Sequence, residues 1–540
     1  MKRVIALVLV LGLIAVACGD DDGTPLFTST TTNASGSTTT TIGGDLYPSE
    51  MVEAYMDGCR PDGGEDLCRC TIDQYQDRLT LEEFLDYTAN TEDIATDPLA
   101  LEIIDFCLRT GENTTTTLAG GDFTPFVSID EVVDAALADL DVYWLAAMQE
   151  VWGLAYEPPI VNGPYFISQG DQPTCGGPMD EADYRGNAFY CGVDDTVQWD
   201  QEELMAPLFE EFGDFTIALV LSHEWGHAIQ ARYGFDDFNS PTIVSELQAD
   251  CFAGSWTGHV SRGESDIFRL APGDLEEAMA GFLLIGDSLG SAPDGPNAHG
   301  GSFDRLSAFF DGFNNEAGKC ATYEADPPTI IFIPLIETDD PIEGGDLPLD
   351  EAAPILIDAL EVFWSIVYPE AFGAPWVPVS AAIPYDPASP DVPACGGFTG
   401  EPGFYENNAF YCAAEDFVAW DNVGLFPSLY TDIGDFAIGL VLADEWGRAV
   451  QTRAGLTTEG EDAQLQVDCM AGVWTAALTR PEEDNPMGLF LSAGDLEEGI
   501  AGFLALSGTP GVEGEASAFN RFEAFKNGFF DGISVCGVLP

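Results

Sequence analysis

Apolar residues in 131–153, EVVDAALADLDVYWLAAMQEVWG, return every three or four positions, the spacing that lines one face of a helix. Short runs rich in aromatic and β-branched residues follow, PYFIS, AFYC and TVQW, and these predict short strands. From Phe215 to Arg232 helical spacing resumes, and Gly234 is its natural stop. Asp274 followed by Glu277 has the spacing of a capping box and predicts the start of a later helix.

The same succession then runs a second time. NAFYCGVDDTVQWD is answered by NAFYCAAEDFVAWD, FGDFTIALVLSHEWGHAIQARYG by IGDFAIGLVLADEWGRAVQTRAG, LQADCFAGSWT by LQVDCMAGVWT, and PGDLEEAMAGF by AGDLEEGIAGF, where Asp495 and Glu498 repeat the cap spacing. Such self-similarity marks one fold duplicated in tandem, over 125–323 and 348–539. Each copy mixes short strands with long helices, so the expected class is α+β: two mainly helical domains with small β-sheets.

Thr/Ser-rich stretches at 19–45 and 111–124 lack the apolar content to pack and read as linkers. A third linker, 324–347, carries DPPT, DDP and GGD, although its TIIFIPLI core can dock as a strand. Between the first two lies a small helical segment, 46–110, with Cys59, Cys68, Cys70 and Cys107. It is too small to be stable without crosslinks, and three pairings of its cysteines stay open.

The chain has 540 residues and a formal net charge of −76, from 17 Lys+Arg against 93 Asp+Glu. That surface repels nucleic acid and anionic lipid, so a nucleic-acid partner is not expected. Residues 1–18, MKRVIALVLVLGLIAVAC, show the charged start, short apolar run and small residues of an export signal. The AVAC ending resembles a bacterial lipobox, which would leave Cys18 lipidated and the chain tethered to a membrane at the cell envelope; an ordinary secreted protein and an uncleaved anchor are the alternatives. Twelve further cysteines in an oxidising compartment predict disulfides. The repeat suggests Cys175–Cys191, Cys251–Cys320, Cys395–Cys412 and Cys469–Cys536.

Candidate chemistry concentrates in the first copy. His223 and His227 are one helical turn apart and can hold one metal ion, while Glu224, turned about 100° away, can reach a water beside it. Glu246 and Asp250 repeat the one-turn spacing on the next expected helix. Two His and one Glu are an attested zinc set, with Glu246 as the third ligand. Asp250 can orient a ligating histidine or serve a purely structural hydrogen bond.

These pieces, with FYC at 189–191, HEWGHAIQ, ELQADCFAG, HGGSFDR from His299 and GKCATY, resemble the neutral zinc metallopeptidases of bacteria, a gluzincin-type family. The resemblance covers most of 123–323. It implies a zincin-like fold, Zn2+ on His223, His227 and Glu246, Glu224 as catalytic base, and a peptide or protein substrate. His299 belongs to the matching segment and either assists the reaction or orders a loop; His259 reads as a surface or packing residue, and Tyr190 as packing.

The second copy has Asp444, Arg448 and Gln464 in place of the three ligands, and no histidine. An Asp444–Arg448 salt bridge can stand where a metal would. Glu224 and Asp250 persist as Glu445 and Asp468, so each is expected to have a structural task besides any chemical one. The function expected is a zinc peptidase with a pseudoenzyme repeat; the alternative is a non-catalytic surface binding or scaffold protein in which zinc is only structural.

Overall fold

Two helices buried on nearly every side, by apolar and polar residues alike, form the centre of the first half. In the computed structural model these are α2 (Asp214–Tyr233) and α3 (Thr242–Ser261), preceded by α1 (Ile129–Val151) and followed by α4 (Asp274–Ile285) and α5 (Ser302–Cys320). The described residues are 126–538 except 127, 236–239, 296–297, 336–345, 398, 401 and 509–515. Cys18, the segments 19–45, 46–110 and 111–124, and the four cysteines of 46–110 lie outside them. All described residues belong to one compact unit, Asp122–Pro540.

Between α1 and α2 a three-stranded sheet has the order β1-β3-β2, with β1 (Ile160–Val161) parallel and β2 (Ala188–Cys191) antiparallel to β3 (Thr196–Trp199). AFYC and TVQW are strands as expected. PYFIS is not: Tyr165 makes only a bridge to Asp200, and Ile167–Gln169 turns into a 3-10 helix. The Tyr165 hydroxyl points inward, within hydrogen-bond reach of the carbonyls of Tyr184 and Asn187.

The second half repeats the order. Helix α6 (Leu349–Phe372) precedes β4 (Ala381–Tyr385), β5 (Ala409–Cys412) and β6 (Phe417–Asp421), in the sheet order β4-β6-β5. Then come α7 (Asp435–Ala454), α8 (Glu461–Leu478), α9 (Asp495–Leu506) and α10 (Ala518–Asp531). The four expected disulfides are present in both halves.

Two local expectations change in the folded chain. Helix α2 stops at Gly234, in the left-handed conformation, as expected. Neither capping box forms: the helices begin at Asp274 and Asp495 behind Gly273 and Gly494, and each Asp accepts from an amide three residues upstream. Glu277 and Glu498 reach across instead to the amides of Phe215 and Phe436, serving the first turns of α2 and α7. TIIFIPLI docks without pairing as a strand; Ile330, Ile331 and Ile333 pack on the core, and the Ile331 amide donates to Asp304.

The halves meet through phenylalanines in a self-complementary pattern. Phe303 lies 5.0 Å from Phe529, and its counterpart Phe519 lies 5.0 Å from Phe313, the counterpart of Phe529. Phe310 stacks on Phe519 at 4.2 Å. The Phe303–Phe529 and Phe313–Phe519 contacts match one another as in a two-fold dimer, but within one chain, while Phe310 has Lys526 as its counterpart.

Inside each half, α3 and α5, like α8 and α10, touch backbone to backbone. A Cβ at Gly312 would lie 1.8 Å from the Cys251 carbonyl oxygen, and one at Gly528 would lie 1.9 Å from that of Cys469. Gly312→Ala is therefore expected to destabilise the chain by about 1–3 kcal/mol, read as a lowered urea midpoint. An unchanged midpoint would mean that the two backbones are farther apart than described.

Candidate metal centre

The site is assembled from one turn of α2 and one turn of α3. Gly226 lies between the two histidines on α2, and a Cβ there would stand 2.8 Å from Ala249 Cα. Without that side chain α3 approaches closely enough for Glu246 and Asp250 to meet both imidazoles. His223 Nε2 and His227 Nε2 are 3.2 Å apart. Glu246 Oε2 lies 3.2 Å from the first and 3.4 Å from the second.

That triangle can be tested against an ion. Ligands held at about 2.0–2.1 Å in tetrahedral geometry are about 3.3 Å from one another. The three separations fit, and the donor set of two imidazoles and one carboxylate suits zinc. The side chains of His223, Glu246 and His227 are 10%, 12% and 19% exposed, so the triangle is sunk below the surface yet not sealed.

Both rings are held from behind. His223 Nδ1 lies 2.7 Å from Asp250 Oδ1, and His227 Nδ1 lies 2.9 Å from Gln230 Oε1. With a proton on each Nδ1, both Nε2 lone pairs point into the triangle. Asp250 is in turn clamped by Arg305, whose Nε and Nη2 donate to Oδ2 and Oδ1 at 2.8 and 2.9 Å. Gln230 is fixed by the Ser245 carbonyl, the Ser245 hydroxyl and Gln248. Burial alone would lower the His223 pKa, but Asp250 and Glu246 overcome it and raise it to about 10. Burial opposes ionisation of Glu246 as well, yet the two imidazoles hold it well below the usual carboxylate range. The local field thus favours positive charge at the point where the three ligand atoms converge.

Glu224 is buried beside them, and its Oε2 accepts from the Tyr190 amide on β2 at 2.8 Å. The Tyr190 hydroxyl is engaged elsewhere, with Asp195 and Arg232. His299 is not brought into the group: its side chain is 51% exposed, its amide donates to Asp287 and its ring lies 3.4 Å from the same carboxylate. His259 lies against Tyr143 and Glu264. Gln230 and Arg305 were not among the expected site residues. The available signals were Gln230 three residues beyond His227 on the same helix, and the arginine repeated in both halves as SFDR and AFNR.

At the matching place in the second half, Arg448 Nε donates to Asp444 Oδ2 at 2.9 Å, the salt bridge expected there. Gln464 bonds to both residues. Gln451, the counterpart of Gln230, keeps a buried Oε1 with no partner, where the first half has a histidine. The Asp–Arg contact survives, with Arg521 clamping Asp468 at 2.8 and 2.9 Å, and Glu445 stays buried, 3.7 Å from Arg448 Nε. Glu224 and Asp250 therefore make the structural contacts that their persistence implied. Asp250 also touches the His223 ring.

Residues 126–323 match the family described as "Putative neutral zinc metallopeptidase". The uncharacterized protein YpfJ of Escherichia coli strain K12 is 34% identical over 157 residues, covering 25% of this chain and 53% of that protein. The uncharacterized protein Rv2575 of Mycobacterium tuberculosis strain H37Rv is 27% identical over 161 residues, covering 25% of this chain and 55% of its own length. The chain thus spans about half the length of the curated relatives it matches. No solved structure matches it.

The two halves supply a matched control. Asp250→Asn and Asp468→Asn each remove the charge facing a buried arginine, and both are expected to destabilise the chain. Only Asp250→Asn is expected to weaken zinc affinity, by about 10–100-fold. Competition with a zinc-sensitive dye checks this; equal affinities in the two variants would separate Asp250 from the metal.

Proposed function

We propose, from the premise that residues 126–323 are a segment of the family described as putative neutral zinc metallopeptidase, that this half hydrolyses peptide bonds with zinc held by His223, His227 and Glu246. The supporting observation is the triangle of Nε2, Nε2 and Oε2 atoms at 3.2–3.4 Å, with a glutamate next to the first histidine. A zinc ion there supplies positive charge that acidifies water and polarises the scissile carbonyl. Glu224 takes a proton from the attacking water and returns it to the leaving amine. The Tyr190 amide fixes one oxygen of that carboxylate, and so its orientation. Asp250 and Gln230 hold the rings against rotation. His299 has no step in this scheme.

In this reading the second half is a pseudoenzyme whose task is structural, supported by its self-neutralised Asp444–Arg448–Gln464 cluster and its phenylalanine contact with the first half. The leader and Cys18 support export and a lipid tether at the cell envelope, where a peptide or protein substrate would be met. A second reading, a non-catalytic surface protein with structural zinc, draws on one observation. A buried glutamate recurs at the same place as Glu445, beside no histidines, so a carboxylate there has a use without catalysis.

Zinc content and cleavage of a quenched peptide library by the full chain and Glu224→Gln separate the readings. Gln can still accept from the Tyr190 amide. The variant is expected to keep its zinc and lose about 10²–10⁴-fold in cleavage rate. Cleavage undiminished in Glu224→Gln would remove that residue from the mechanism, whereas bound zinc with no cleavage by the parent would favour the second reading.

A further inference from the structure

Away from the zinc triangle, the second half gathers four carboxylates around the start of α7. Asp435 opens α7, Asp495 opens α9, Glu498 lies one turn into α9, and Asp346 lies just before α6. Oxygens of Asp435, Asp495 and Glu498 all come within 4.8 Å of one another. Asp435 and Asp495 are only 6% and 5% exposed. The charged groups acting most strongly on these three are one another and Asp346, with no Lys or Arg among them. Burial, and then mutual repulsion, pushes all three above the usual carboxylate range.

Most of their oxygens have partners. Asp435 Oδ2 accepts from the Leu347 amide at 2.8 Å, and Glu498 Oε2 accepts from the Phe436 amide at 2.8 Å. Asp495 accepts from the Ser492 amide and hydroxyl, and Asp346 Oδ1 lies 3.2 Å from the same hydroxyl. Among the buried oxygens one has no hydrogen-bond partner, Asp435 Oδ1, although amides at the start of α7 stand near it. Asp435 and Asp495 are also the two polar residues on the wall of an otherwise apolar cavity of about 10 Å³, room for roughly one water-sized sphere. A proton shared between two of the carboxylates lessens the repulsion but serves only one pair of oxygens. A hard cation collects several carboxylate oxygens at once, at about 2.3–2.6 Å for calcium.

We propose that Asp346, Asp435, Asp495 and Glu498 form a calcium site that fastens the lead-in to α6, the start of α7 and the start of α9 together. Exposed Asp346 provides the open side through which the ion enters and leaves. The first half has a related trio, Asp214, Asp274 and Glu277, but Pro125 stands where the second half has Asp346. The site belongs to the second half for that reason, and its affinity falls in the range of extracellular calcium modules, about 10⁻⁴–10⁻³ M.

The test is the thermal midpoint of the zinc-loaded full chain, titrated with calcium chloride at constant ionic strength beside a magnesium chloride control. Calcium is expected to raise the midpoint saturably by about 2 °C or more, beyond any effect of magnesium. Asp435→Asn and Asp346→Asn are expected to raise the half-saturating calcium concentration at least about tenfold. Asp346 is exposed, so its variant decides the matter if Asp435→Asn does not fold. No saturable rise beyond magnesium, or the same titration curve in parent and Asp346→Asn, overturns the site.

Discussion

Everything at the candidate centre depends on how closely two helical backbones approach one another. At Gly226 there is no side chain between α2 and Ala249 of α3, and a Cβ would leave only 2.8 Å to the Ala249 Cα. The same approach is kept in the second half, where a Cβ on Gly447 would stand 2.9 Å from Val467. Imidazoles are short, and a glutamate on a neighbouring helix reaches them only when the helices are nearly in contact. The glycine is therefore as much a part of the site as the residues that converge there, although it donates nothing to it.

Around that contact the two halves share a frame and differ at the middle. Both keep an Asp–Arg clamp between consecutive long helices, at Asp250–Arg305 and Asp468–Arg521. Both keep a buried glutamate at the matching place, Glu224 and Glu445. The middle of the first half has two rings and one carboxylate, an arrangement whose charge is balanced by a cation. The second half carries its own cation, Arg448, between Asp444 and Gln464. Burying charge without compensation is costly, so the presence of Asp444 and that of Arg448 at this place are physically linked. The unpartnered Gln451 oxygen marks where the replacement is incomplete.

The contact between halves adds a reason for keeping the second one. Phe303 with Phe529 and Phe313 with Phe519 repeat one contact about a local two-fold axis. That surface lies on α5, the helix that also carries Arg305. A first half without its partner would expose several large aromatic side chains to water, and burial of such rings is a major source of stability. The second half therefore shields the helix that carries one of the centre's supports.

What the residue order determined by itself was local and periodic. One-turn spacing placed His223 with His227 and Glu246 with Asp250, and the internal repeat indicated both the cysteine pairs and the Asp444–Arg448 bridge. Such features need only the pitch of a helix or the comparison of two copies. The tertiary structure alone decided which distant groups those side chains meet. Gln230 became the support of His227, Arg305 the clamp on Asp250, and Glu277 left its own helix end to serve the first turn of α2. Tyr165 turned inward to the carbonyls of Tyr184 and Asn187, partners about twenty residues away. A hydrogen bond is won by whichever partner packing brings within about 3 Å, and that distance is set by the approach of whole helices, which no short stretch of residues encodes.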